Sequence, residues 1–153
     1  MNSNDKILIL DFGSQYTQLI ARRVREIGVF SEVKPSSIST EEIIKMNPSG
    51  IILSGGPETV TISSSQKVHK SLLEAKIPIL GICYGMQTIA KELGGSVVNS
   101  DVREFGHANI SDVNNSILFD SVNFDSNNLD VWMSHGDKVD KTVSYTHLRA
   151  HET

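Results

Sequence analysis

Between residues 6 and 95 the hydrophobic and polar positions follow two alternating periods. Short apolar runs rich in Val, Ile and Leu are typical of buried strands, and apolar residues spaced by three and four are typical of amphipathic helices. The predicted strands cover residues 6–11, 29–34, 50–54 and 77–80. The predicted helices cover residues 17–27, 39–46, 66–75 and 86–93. This alternation predicts an α/β fold with a mostly parallel sheet, helices on both faces and functional loops at the carboxyl ends of the strands.

The pattern changes after the glycine pair at residues 94–95. Strand-like runs at residues 96–99 and 107–113 predict a small antiparallel extension, and residues 129–133 later return to strand alternation. A polar stretch at residues 101–106 joins the first two runs, and residues 114–128 are rich in Asn, Ser and Asp, which favours a loop with one short helical turn. The last run meets Ser134-His135-Gly136-Asp137, which predicts a polar turn.

The only cysteine, Cys83, lies where a predicted strand changes directly into a predicted helix. Glycines at positions 81 and 85 bracket it, as a sharp strand-to-helix turn requires, because such a turn leaves no room for side chains on either side of its apex. The helix N-terminus is expected to favour the thiolate, which is the attacking form of a cysteine. This pattern predicts that Cys83 is a nucleophile.

The alternative for a lone cysteine is a small buried hydrophobic residue, and on residue type alone that alternative is the more frequent one. The bracketing glycines favour the nucleophile. Two other loops allow two interpretations each. Gly55-Gly56 follows a predicted strand and is either an ordinary tight turn or a backbone donor site for an oxyanion. His135 is either a structural histidine or part of the site.

Composition limits the classes of protein to which the chain can belong. At 153 residues, 39% hydrophobic and 21% charged, it has the size and core of one globular domain. A net charge of -4 and the absence of a large basic cluster argue against nucleic-acid binding. A single cysteine permits neither an intramolecular disulfide nor a multi-cysteine zinc site. Without a signal-peptide pattern or a membrane-spanning run, the expected location is the cytoplasm.

The last ten residues, 144–153, continue none of the preceding patterns. They resemble translated adaptor sequence, which contaminates the ends of some gene models. We therefore expect native sequence to end near Val143, so that residues 1–143 form a partial domain and residues 144–153 a non-native tail.

Five motifs along the chain form one set: Asp11-Phe12-Gly13-Ser14-Gln15-Tyr16-Thr17-Gln18, Ser54-Gly55-Gly56-Pro57, Gly81-Ile82-Cys83-Tyr84-Gly85-Met86-Gln87, Arg103-Glu104-Phe105-Gly106 and Trp132-Met133-Ser134-His135-Gly136-Asp137-Lys138-Val139. Together they resemble the amidotransferase domain of the GMP synthase branch of class I glutamine amidotransferases. The resemblance covers residues 6–139 and implies a flavodoxin-like arrangement of the sheet.

The resemblance implies a role for each matching position. Cys83 would attack the side-chain amide of glutamine and form a thioester, while the backbone N–H groups of Gly56 and Tyr84 would hold the oxyanion. The residues implied to bind the amino-acid end of glutamine are Gln87, Ser134, His135, Gly136 and Asp137. No metal or cofactor is implied in this domain. ATP and Mg²⁺ would serve an ATP-pyrophosphatase (synthetase) domain or subunit, and a homodimer is expected for the full-length protein.

The family's general base and its orienting carboxylate lie in a later His-Pro-Glu motif, which this chain does not contain. His147 and the pair His151-Glu152 lack the spacing and the preceding strand of that motif. Loss of triad members costs several orders of magnitude in comparable enzymes, so this fragment is expected to be nearly inactive.

Two other functions remain open at this point. The fold could serve a non-catalytic, glutamine-binding or regulatory module, which a missing base would also fit. The chain could also belong to chaperones or peptidases that share the cysteine elbow. Those relatives carry a histidine directly after the nucleophile, whereas this chain has Tyr84.

Overall fold

A computed structural model of the protein describes residues 5–57, 66–110 and 129–142, with the side chains of residues 99–105 and 133–136 left out of the description. The predicted loop at residues 114–128 and the predicted tail at 144–153 therefore lie outside the described residues. In chain order the elements are β1 (Lys6–Asp11), α1 (Thr17–Glu26), β2 (Phe30–Pro35), α2 (Thr40–Met46), β3 (Gly50–Leu53), α3 (Lys70–Leu73), β4 (Ile79–Gly81), α4 (Tyr84–Glu92), β5 (Ser96–Ile110) and β6 (Leu129–Lys141).

The first four strands form one parallel sheet in the order β2-β1-β3-β4, which confirms the predicted α/β class. Strand β1 lies between two neighbours, and its residues Leu8 and Ile9 are completely buried. This burial on both faces explains why its sequence is continuously apolar rather than alternating. All four strands run the same way, so the loops that follow them meet at one edge of the sheet.

Helix α1 packs through a face that matches the prediction only in part. Apolar spacing in the sequence puts Leu19, Ile20, Val24 and Ile27 on one face. In the structure Ile20 and Val24 are half-buried, but Leu19 and Ile27 are exposed. The buried residues are Thr17 and Ala21, which stand one turn apart. With the small Ala21 on its buried face, helix α1 can approach the sheet more closely than it could with Leu19 there.

Helix α3 is much shorter than the predicted helix over residues 66–75. His69, its N-cap, has extended backbone angles, and the backbone N–H of Val68 donates to the hydroxyl of Thr88 at 3.2 Å. This bond holds Val68 against helix α4 and keeps the preceding chain out of the helix. Val68 and Leu72 are nevertheless buried, as their apolar character predicted.

The last two strands form a separate two-stranded sheet. Ser96 near the start of β5 bonds Asp140 near the end of β6, and Asn109 near the end of β5 bonds Asp130 near the start of β6, so the pairing is antiparallel. The predicted extension is confirmed, but β5 is one continuous strand. The stretch at 101–106 belongs to it, because pairing with β6 gives its backbone groups hydrogen-bond partners.

The described parts of residues 5–99 and 137–142 belong to one compact unit, and those of residues 100–136 belong to a second. The first unit holds the hydrophobic core of the sheet. Its buried members are Leu8, Leu10, Phe12, Ile43, Ile51, Leu53, Val68, Leu72 and Tyr84.

Candidate active site

Cys83 is the apex of a sharp turn between strand β4 and helix α4. Its backbone angles are φ 50° and ψ −109°, a conformation that a residue with a side chain rarely adopts. Such a conformation costs on the order of 1–3 kcal/mol, and the surrounding structure must enforce it. The enforcing contacts are tight. The Gly85 N–H donates to the Ile82 carbonyl at 2.9 Å, and the Ile82 N–H donates to the Leu53 carbonyl at 3.0 Å.

The two bracketing glycines have the function that the sequence predicted for them. A Cβ atom at Gly81 would lie 2.6 Å from the backbone nitrogen of Met86. A Cβ atom at Gly85 would lie 2.4 Å from the carbonyl oxygen of Leu53. Both positions are therefore closed to any side chain, because strand β3 and helix α4 approach the turn too closely. The turn has the geometry of a nucleophile elbow.

The thiol of Cys83 is less acidic than the sequence analysis expected. The residue is exposed, yet the protein around the sulfur excludes enough water to raise the pKa of Cys83. Among the described residues no charged side chain offsets this effect. Burial therefore acts against the thiolate that the helix N-terminus was expected to favour, so a neighbouring base or a high pH would help to ionise the sulfur.

The loop after strand β3 lies directly beside the elbow. A Cβ atom at Gly55 would be 3.6 Å from the Cβ atom of Cys83 and 3.6 Å from the hydroxyl oxygen of Ser14. A Cβ atom at Gly56 would lie 2.7 Å from the carbonyl oxygen of Phe12. The loops after β1, β3 and β4 thus meet around Gly55, with Gly56 packed tightly against the first of them.

Tyr84 follows Cys83 and is the first residue of helix α4, so its backbone N–H lies in the first turn of that helix. Its side chain is buried, and its hydroxyl donates to the carbonyl of Gln66. Its ring packs against Phe12 with a centroid distance of 5.4 Å and an interplanar angle of 46°. These contacts fix the first residue of the helix, and with it the position of the Tyr84 N–H.

Gln87 lies one turn further along helix α4, where its N–H donates to the carbonyl of Cys83 at 3.1 Å. The residue is buried, and its side-chain Nε2 donates to the carbonyl of Asp137 at 3.1 Å. This bond joins helix α4 to the end of strand β6 inside one compact unit. The structure therefore brings together Cys83, Gln87 and the backbone of Asp137, three of the positions selected from the sequence.

The predicted turn at Ser134-His135-Gly136-Asp137 is wrong as secondary structure. The backbone of these residues continues strand β6, which ends at Lys141. The strand continues because β5 is long enough to pair with it, and pairing satisfies backbone groups that a turn would leave to solvent. The side chains of Ser134 and His135 lie outside the description, so their relation to Cys83 stays a prediction.

Sequence reasoning missed Ser54 and Ser14 as parts of this site. Ser54 is completely buried at the end of β3, and Ser14 lies against Gly55. The motif Ser54-Gly55-Gly56-Pro57 drew attention to its glycines only, although a serine directly before a glycine loop was a usable signal. The residues that the structure describes contain neither a cluster suited to a metal ion nor a helix long and apolar enough to cross a membrane.

Comparison with known proteins agrees with this geometry. The family model "Glutamine amidotransferase class-I" matches residues 8–152. The chain belongs to the class I glutamine amidotransferase family. The strained turn at Cys83 follows strand β4, at the carboxyl edge of the parallel sheet.

Three relatives define the branch of this glutamine amidotransferase. It is 56% identical to "GMP synthase [glutamine-hydrolyzing]" of Teredinibacter turnerae over 141 residues, covering 89% of this chain and 27% of that protein. It is 58% identical to the protein of the same name from Tolumonas auensis over 139 residues, covering 88% and 26%. A solved structure from Thermoplasma acidophilum, described as a GMP synthase subunit, has a TM-score of 0.74 at 28% identity and covers 92% of this chain and 69% of its own. The chain thus spans about a quarter of the length of its curated relatives.

Proposed function

We propose that this chain is the glutamine-hydrolysing part of a GMP synthase. The observation that carries the proposal is the strained Cys83 at the elbow, with the Gly55-Gly56 loop in contact beside it. A conformation this costly is retained where it positions a reacting group. The names of the relatives support glutamine as the substrate.

In the proposed reaction the sulfur of Cys83 attacks the side-chain amide carbon of glutamine. The new C–S bond forms as the C=O electron pair moves to oxygen, and the C–N bond then breaks as the nitrogen takes a proton and leaves as ammonia. Water hydrolyses the resulting thioester to glutamate and regenerates the thiol. The raised pKa of Cys83 means that this cycle needs a general base, and none of the described residues supplies one to the sulfur.

Two backbone N–H groups would stabilise the oxyanion in this proposal, those of Gly56 and Tyr84. Tyr84 is suited because its N–H is at the start of helix α4, and Gly56 because its neighbour Gly55 lies against Cys83. Donors fixed before the reaction stabilise developing charge without reorganising.

The amino-acid end of glutamine would be held by Gln87 and by the segment Ser134, His135, Gly136 and Asp137. An ammonium and a carboxylate need fixed polar partners, and the bond from Gln87 to the Asp137 carbonyl supports a shared role for these two residues.

The ammonia would be used in the ATP- and Mg²⁺-dependent amination of XMP to GMP. We propose that an ATP-pyrophosphatase (synthetase) domain or subunit performs this step, and that the whole protein is a cytoplasmic homodimer. No cofactor is proposed for the glutaminase domain itself.

The proposal is tested with glutamine labelled with ¹⁵N in its side-chain amide, supplied to the protein together with its synthetase part, ATP, Mg²⁺ and XMP. The label is expected in the exocyclic amino group of GMP. Cys83→Ala should abolish glutamine-dependent amination and leave amination by added ammonium intact, because the second reaction does not use the thiol. Glutamine-dependent amination that persists in Cys83→Ala would refute the proposal.

A further inference from the structure

Ser54 occupies a completely buried position between two of the loops that surround the nucleophile. Its hydroxyl accepts a hydrogen bond from the backbone N–H of Phe12 at 3.0 Å. The same hydroxyl donates to the carbonyl oxygen of Gly55 at 2.8 Å. One oxygen atom therefore links the loop after β1 to the loop after β3. The hydroxyl therefore uses its single donor and one of its two acceptor lone pairs in holding these two loops.

The bond to the Gly55 carbonyl has a consequence for the next residue. The peptide bond between Gly55 and Gly56 is planar and trans, so its C=O and N–H groups point in opposite directions. Fixing the direction of the Gly55 carbonyl therefore fixes the direction of the Gly56 N–H. Glycine has the widest backbone freedom of all residues, and a Gly-Gly peptide without this bond would rotate more easily than any other.

A second contact holds the same peptide from the other side. A Cβ atom at Gly56 would lie 2.7 Å from the Phe12 carbonyl, so Gly56 packs directly on Phe12. The backbone N–H of the same Phe12 donates to the hydroxyl oxygen of Ser54. The Ser54 hydroxyl thus restrains both the peptide and the surface against which the peptide packs.

We infer that Ser54 is a positioning residue for the glutaminase reaction: its hydroxyl holds the Gly55–Gly56 peptide so that the Gly56 N–H is ready for the oxyanion. The inference rests on the proposed function, because it assumes that Gly56 is an oxyanion donor. Ser54 does not touch substrate in this role. It acts through the peptide, so its loss should slow the chemical step and leave substrate binding unchanged.

The test uses the chloroketone analogue of L-glutamine, in which CH₂Cl replaces the amide NH₂. The analogue first binds through its amino-acid end. The Cys83 sulfur then reacts, with the ketone oxygen at the oxyanion position, so that a C–S bond replaces the C–Cl bond, chloride leaves and the thiol proton goes to solvent. The dependence of the labelling rate on analogue concentration separates the dissociation constant of the first step from the rate constant of the second.

Ser54→Ala is compared with the matched control Ser31→Ala. Ser31 is also a buried serine. Its hydroxyl accepts from the guanidinium of Arg25 and, like that of Ser54, donates to a backbone carbonyl, that of Ala21 at 2.9 Å. It lies on strand β2, away from the elbow. Loss of an entire oxyanion donor costs about 10²–10³-fold. Ser54→Ala keeps the Gly56 N–H but removes the hydroxyl that fixes its direction, so we expect its labelling rate constant to fall about tenfold and its dissociation constant to stay unchanged. The rate constant of Ser31→Ala should not fall.

The outcomes separate the inference from the proposed function. If L-glutamine does not protect the wild-type chain from labelling, the proposed function fails. If protection is seen but Ser54→Ala labels as fast as wild type, or Ser31→Ala slows equally, the inference is overturned. Should Ser54→Ala not fold, Ser54→Cys provides the test, because its S–H is a weaker donor of similar size. A rate constant reduced threefold or more with unchanged binding is expected, and an unchanged rate constant would overturn the inference.

Discussion

The tight approach of strand β3 to the elbow predicts a large effect of adding one methyl group at Gly85. A Cβ atom there would lie 2.4 Å from the carbonyl oxygen of Leu53, so the two elements must separate by at least 0.6 Å to reach the 3.0 Å below which real Cβ contacts are essentially absent. The same carbonyl accepts the N–H of Ile82, and separation would lengthen that bond as well.

The magnitude follows from two opposing effects. Overpacking of this kind costs about 1–3 kcal/mol. Replacing a helical glycine by alanine returns about 0.5–1 kcal/mol through backbone entropy. The Gly85→Ala variant is therefore expected to lose about 1–2 kcal/mol of unfolding free energy, measured by urea denaturation with circular dichroism. Displacement of Cys83 should also slow labelling by the glutamine chloroketone about tenfold, because catalytic geometry tolerates shifts of well under about 1 Å.

Gly55→Ala is the matched control for stability. A Cβ atom at Gly55 would meet its nearest neighbours at 3.6 Å, which is ordinary contact, and Gly55 is not among the described glycines with positive φ. Alanine should therefore be neutral or stabilise by up to about 1 kcal/mol. The reasoning is refuted if Gly85→Ala is as stable as wild type, or if Gly55→Ala is destabilised as much as Gly85→Ala.

Three further predictions concern single groups. Ser39 caps helix α2 in a capping box, so Ser39→Ala should lower the unfolding free energy by about 1 kcal/mol in urea denaturation. The control Ser37→Ala, at an exposed position, should change the unfolding free energy by less than about 0.5 kcal/mol. Equal losses in the two variants would contradict the capping role of Ser39. Burial raises the pKa of Cys83, so the rate of alkylation by iodoacetamide should reach its midpoint at a higher pH than that of a cysteine peptide measured in parallel. An alkylation midpoint below that of the peptide would contradict the raised pKa. Because the folded protein holds this proton more tightly than the unfolded chain, the corresponding contribution to stability is complete below the unfolded pKa and is lost as pH rises through the folded pKa. The buried Thr17 hydroxyl donates to Asp11 at 2.8 Å, so Thr17→Val should cost about 1–2 kcal/mol in the same denaturation assay, and an unchanged midpoint would show that the bond is not needed.

The sequence was most informative where local chemistry alone determines structure. The apolar run of β1 and the glycines around Cys83 leave few alternatives, since a buried strand and a turn without room for side chains each demand particular residue types. The capping box at Ser39 likewise depends on local sequence alone, because both of its hydrogen bonds join Ser39 to Glu42, three positions further on.

Features that depend on contacts distant in sequence could not be predicted. The shortening of helix α3 results from a bond between Val68 and Thr88, and the extension of β6 through Gly136 results from pairing with β5. The direction of the Cys83 pKa shift depends on burial, which a sequence does not display. The sequence marks Ser54 as a serine before a glycine loop, but its hydrogen bond from the distant Phe12 N–H is visible only in the structure.

The central claim is that Cys83 is the nucleophile that receives glutamine. It is tested most directly by labelling the chain with the glutamine chloroketone at a pH high enough to ionise the thiol, followed by peptide mass mapping with and without competing L-glutamine. The predicted result is one label, on the peptide that contains Cys83, suppressed by L-glutamine but not by D-glutamine and absent in Cys83→Ala. Labelling at another residue, or labelling of Cys83 that L-glutamine does not suppress, would contradict the claim.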